Sequence, residues 1–242
     1  MRMGKKYLSI FLSFLVLLFT RSPLQAQNID AFFNSGSILL QIQPTLNNQQ
    51  LVLGQKVFVP LLNDSVQIDR LRFYLSDMFF SNSSDSQENI EQKFFLIDLG
   101  DSTSLRRQLL LETISQWDSI HFKVGIDSST QLKGAQGGDL DPMHGMYWSW
   151  RSGYINFKCE GISSICPGRN NAFMFHIGGF QAPFNTIQSV SLPVYSDTVV
   201  IQIDLTPLLT ISSITQNYEV MSPSAKAMTF ANQFPSLFRS IQ

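Results

Sequence analysis

The chain has 242 residues, a formal net charge of −1 and only 14% charged side chains. No basic patch is present to draw it to nucleic acid or an anionic membrane, which leaves a small ligand, a metal or a protein as the expected partner. With three His, no nucleophile beside a base, and no GxSxG elbow, P-loop, HExxH helix or dinucleotide fingerprint, the chain reads as a non-enzyme with no catalytic residue.

The first residues, Met-Arg-Met-Gly-Lys-Lys, lead into the apolar run YLSIFLSFLVLLF and then TRSPLQAQ. That order is a secretory signal peptide over residues 1–26, cut after Ala26. No Cys stands near the cut to carry a lipid, and no later run approaches the roughly 20 apolar residues of a spanning helix. Residues 27–242 are therefore expected as a single secreted or periplasmic domain.

Period-two apolar alternation then recurs: Ile38, Leu40, Ile42; Val66, Ile68, Leu71, Phe73, Leu75; Ile120, Phe122, Val124, Ile126; Ile155, Phe157, Cys159; Phe173, Phe175, Ile177; Val199, Ile201, Ile203, Leu205. Short strands between Ser, Asn, Asp and Gly clusters predict an all-β fold, an antiparallel β-sandwich. The polar run Ser81 to Gln92 reads as a solvated hairpin loop. A short C-terminal helix is expected with Ser222 as N-cap and Pro223 in its first turn, turning Met228 and Phe230 to the sheet.

The densest chemistry lies in GGDLDPMHGMYWSWRSGY, Gly137 to Tyr154, which collects two Trp, two Met, one His and two carboxylates between turn-forming Gly and Pro. His144 and Met146 are candidate soft-metal ligands, with Trp148, Trp150 and Tyr154 as an aromatic wall or a cover for the core. Asp139 and Asp141, joined by Asp127, would suit calcium, and capping accounts for the same residues. His176 shares a strand face with Met174 just before a Gly-Gly break, a place for a copper ligand. His121, grouped with Ser119 and Lys123, reads as solvent-facing. Cys159 and Cys166, seven apart and lacking the CxxC pattern, read as a local disulfide in an exported chain.

The stretches RLRFYLSD (Arg70 to Asp77), FFLIDL (Phe94 to Leu99), IHFKVGID (Ile120 to Asp127), GGDLDPMHGMYWSWRSGYINFKCEG (Gly137 to Gly161) and RNNAFMFHIGGF (Arg169 to Phe180) resemble, in order, the blocks of the MbnP-like family. Its members are secreted or periplasmic bacterial copper proteins related to the methanotroph surface proteins CorA and MopE, and the chain is most similar to the type found in the Bacteroidetes group. The resemblance implies an all-β copper binder in which His176 is a ligand. It also implies that Trp148 or Trp150 is the residue open to oxidation to kynurenine, with a di-haem cytochrome c peroxidase-like protein as oxidising partner. One departure stands out: where the family's first strand carries a His before Pro, this chain has Gln43, a poor ligand for Cu(I).

Two readings follow. In the first, the protein sequesters or delivers copper (Cu+ or Cu2+) through His176, with His144 and Met146 replacing the ligand missing at Gln43. In the second, it is a non-catalytic interaction module with a degenerate metal site and an exposed apolar patch.

Overall fold

The computed structural model describes residues 36–113, 116–149, 152–211 and 214–242. Residues 1–26, expected as the signal peptide, and Trp150 lie outside them. The described residues begin with β1 (Gly36–Leu46), β2 (Gln49–Gln50), β3 (Lys56–Val59), the long β4 (Asp64–Ser81), β5 (Gln87–Asn89), β6 (Phe94–Asp98) and β7 (Arg106–Leu111). It continues through β8 (Ser119–Val124), helix α1 (Ser128–Leu132), β9 (Tyr147–Ser149), β10 (Gly153–Ser163), β11 (Ala172–Gly178), β12 (Gln188–Pro193) and β13 (Thr198–Asp204). Helix α2 (Thr206–Ile211), β14 (Glu219–Val220), α3 (Ala225–Ala231), α4 (Phe234–Leu237) and β15 (Phe238–Ile241) complete it.

Two sheets form. The smaller runs β15-β13-β1-β2 with β7 also on β1, and the larger runs β12-β8-β4-β10-β11-β14 with β3, β5 and β6 on β4 and β9 on β10. Most pairings are antiparallel, as the alternation predicts, but β1 pairs β13 in parallel and β11 pairs β14 in parallel. Strand alternation fixes which face is buried and not which way a neighbour runs, so those two exceptions were invisible in the pattern.

The inward residues of both sheets make one core. Phe238 of the smaller sheet meets Phe73 and Phe122 of the larger edge-on, at 5.8 and 5.5 Å, and Phe73 stacks on Phe157 at 5.6 Å. Burying one such ring stabilises the fold by roughly 1.5–3 kcal/mol, and edge-on pairs add about 0.5–1.5 kcal/mol.

The C-terminal helix forms, two residues later than the sequence suggests. Ser224 caps α3, its side chain accepting from Ala227 N–H, and Phe230 packs on Phe175 at 4.5 Å. The expected disulfide does not form. Cys159 points into the core from β10 and Cys166 donates to Ala172 O at 3.0 Å, so both are buried free thiols.

A smaller apolar cluster lies on the outer face of the larger sheet: Tyr74, Leu96, Ile126, Leu140, Met146, Tyr154 and Ile155, with Tyr147 and Trp148 against it. Much of the aromatic loop is therefore a lid over a second, minor core.

Candidate metal centre

The lid is built from turns that its carboxylates stabilise. Asp141 caps a 3-10 turn (Pro142–His144) by accepting from Met143 N–H at 2.8 Å, and Gly145 ends that turn at φ 66°, a conformation that favours glycine. Asp139 accepts from Leu96 N–H at 2.9 Å, which fastens the lid to β6. Two buried tyrosines hold it from below: Tyr74 donates to Asp139 O at 3.1 Å and Tyr154 to Leu140 O at 3.0 Å.

Asp127 caps α1, accepts from Thr130 N–H and Thr130 Oγ1, and pairs with Lys93 at 3.0 Å. The calcium triad of Asp127, Asp139 and Asp141 is thus not assembled, because each carboxylate is taken up as a cap or anchor. Among the described residues no three His, Cys, Asp or Glu side chains gather around a point.

The soft-ligand candidates separate as well. Met146 is fully buried in the minor core. His144 is exposed, its Nε2 3.1 Å from Gly138 O. Gln43 is exposed on the outer side of the smaller sheet, opposite Gln202. Met146 is taken up by the minor core, His144 by the 3-10 turn of the lid and Gln43 by the other sheet.

What does surround His176 is a polar patch on the outer face of β10 and β11. Cross-strand register sets Lys158 opposite His176 and Glu160 opposite Met174, because Phe157 and Cys159 take the inward parity. His176 is 6% exposed, with its Nε2 2.6 Å from Glu160 Oε1. Glu160 also meets Arg70 at 3.0 Å and Lys158 at 3.6 Å. Lys158 donates to Gly145 O at 2.9 Å, and Arg72, paired with Asp98 at 2.7 Å, donates to His144 O at 2.6 Å. The patch and the lid are therefore one hydrogen-bonded unit.

Burial drives the His176 imidazole below its ordinary pKa, outweighing the Glu160 hydrogen bond. Burial pushes Glu160 up, but its hydrogen bond to His176 and the charges of Lys158 and Arg70 more than offset this and hold it ionised. A neutral imidazole giving its Nε2 proton to a carboxylate keeps its lone pair on Nδ1. That Nδ1 has no partner among the described residues.

Farther along the same strand face stands Trp148. A Cβ on Gly178 would lie 2.7 Å from Trp148 Cζ3, so the indole fills the space of the missing side chain. Gly178 is two residues beyond His176 on the same strand face, roughly 7 Å along. The Trp148 indole nitrogen is buried with no hydrogen-bond partner among the described residues. Of the residues singled out in the sequence, then, the fold sets Met174 and His176 side by side on the outer face of β11 and Trp148 over Gly178 at the end of that face. Glu160 and Lys158 escaped notice, although their alternation with Phe157 and Cys159 marked them as outward-facing. A neutral imidazole nitrogen, a thioether on the same face and a carboxylate are donors suited to a single borderline-soft ion.

A family model described as MbnP matches residues 35–222. Among solved structures, MbnP from Methylosinus trichosporium is similar with a TM-score of 0.59 and 13% identity, over 80% of this chain and 87% of that one. At that identity the likeness is one of fold. No curated protein matches the sequence.

Proposed function

The chain belongs to the MbnP family, and from that premise we propose that it is an exported copper-binding protein that sequesters or delivers one copper ion without catalytic turnover. The observation that carries this reading is the His176–Glu160 pair, which leaves Nδ1 unprotonated on the strand face that Trp148 covers farther along, at Gly178. His176 is the principal ligand in this reading. Met174 offers the thioether that the sequence sought in Met146, and Glu160 orients the imidazole, as carboxylates behind metal-bound His commonly do.

The charge balance favours Cu(I). Lys158 and Arg70 flank Glu160, so an incoming cation meets two positive neighbours and one negative one. A univalent soft ion is opposed less than a divalent one, and imidazole and thioether suit it. Trp148 is the residue within the described chain that an oxidising di-haem partner would convert to kynurenine.

A second reading, an interaction module with a degenerate metal site, draws on two facts: Gln43 stands on the other sheet, and only one His belongs to the patch. Protein purified from its native host separates the two by intact mass and bound metal. About one copper per chain supports the first, and a kynurenine mass shift adds the oxidising partner. No copper even after loading with Cu(I) supports the second.

A further inference from the structure

A different part of the larger sheet carries a site unconnected with His176. At the β4–β8 pairing the register shifts between Ser76 and Phe79, and Asp77 takes a left-handed φ of 47°, marking a bulge. Beside that bulge is a cleft of about 650 Å³, within the range of small-ligand sites.

Across its floor the register aligns Phe79, His121 and Ser191 on neighbouring strands. Phe79 and His121 are stacked at 4.4 Å with their planes only 10° apart. Both rings therefore stand upright on the sheet, and the second face of the imidazole looks over a serine. A row that could hold three rings holds two. Ser81 Oγ lies 2.8 Å from His121 Nε2 and sets the ring orientation, while Nδ1 has no partner among the described residues. His121 is thus half-buried and stacked, not the plain solvent-facing residue that its strand parity suggests.

Polar groups surround this slot, and apart from the exposed Glu91 at its rim their charges are already matched. Lys123 pairs with Asp77 at 2.8 Å and Lys93 with Asp127 at 3.0 Å. An anion would have to break those pairs, and a flat aromatic would leave the polar rim without partners. The occupant that uses all of it has one apolar ring face and several hydroxyls able both to donate and to accept. We propose that the cleft between β4, β8 and β12 binds a neutral sugar ring, stacked on the free face of His121 over Ser191. Asp77, Lys93 and Lys123 would hydrogen-bond its hydroxyls.

The test is a titration of the isotope-labelled exported protein with glucose, galactose, maltose and cellobiose, followed by amide NMR shifts, with benzoate as the flat anionic control. Saturable shifts at Phe79, His121 and Ser191 with at least one saccharide are expected. His121→Ala should weaken that binding by about tenfold, the scale of one lost ring stack. Ser191→Phe fills the slot and should abolish it, with circular dichroism and copper binding unchanged. No shift with any of the four saccharides, binding of benzoate alone, or undiminished binding in Ser191→Phe would each overturn the proposal.

Discussion

Replacing Gly178 with Ala probes the candidate centre without touching a ligand. The added methyl would sit 2.7 Å from Trp148 Cζ3 and 2.8 Å from Tyr154 O, closer than real Cβ atoms come, and one of the two is backbone that yields little. The indole must move out of its seat over Gly178. Overpacking of this kind costs about 1–3 kcal/mol. For a domain of this size each kcal/mol lowers Tm by about 2–4 °C, so a fall of about 2 to 12 °C is expected. Copper affinity should drop by about tenfold, the lower end for loss of a group that supports a metal ligand. Differential scanning calorimetry, copper titration and indole emission, referenced to Trp148→Phe, measure the three effects. A Gly178→Ala protein with parental Tm and unshifted Trp148 emission would refute the packing argument, because the indole would then not occupy that space.

Three further outcomes are expected. Glu160→Gln keeps the shape of its side chain but weakens the hold on the Nε2 proton, and should lower copper affinity by about 10- to 100-fold, read by competition with a chelator. Gln43→His restores the residue expected in the family's first strand, yet should leave copper affinity unchanged because position 43 is on the other sheet; tighter binding would show that the two sheets share a site. Asp64, with hydrogen bonds from Ser163 and Ser164 outweighing burial, has its pKa lowered from 3.8 to about 2. Its contribution to stability is present above pH 3.8 and is lost as pH falls through about 2, so acid unfolding of Asp64→Asn should show a flatter profile in that window.

The sandwich could be read from alternation because burial of one strand face writes itself directly into residue order. Ile38, Leu40 and Ile42 face the core as expected, as do Phe173, Phe175 and Ile177. The C-terminal helix could be read as well, with an error of two residues at its cap, since Ser222 and Ser224 offer the same chemistry and only the backbone path chooses between them. The site was harder. Proximity across strands depends on register, and nothing local to His176 or Glu160 reveals that the β10–β11 pairing sets them diagonally across from each other. The loop was misleading for a related reason. Met146 and the three Asp residues have the chemistry of ligands, but the outer face of the sheet is apolar around Tyr74 and Tyr154, so covering it and capping the cover's turns take those side chains first. Cys159 fell to the same rule: its parity directs it into the core, where it and Cys166 are buried as free thiols.

The central claim is that His176 presents an unprotonated Nδ1 to copper. The most direct measurement is the Cu(I) affinity of the protein beside His176→Ala and His144→Ala. One copper per chain, at least about tenfold weaker binding in His176→Ala and no change in His144→Ala is the predicted result. Equal affinity in the parent and His176→Ala would contradict it, and a loss confined to His144→Ala would move the site into the lid.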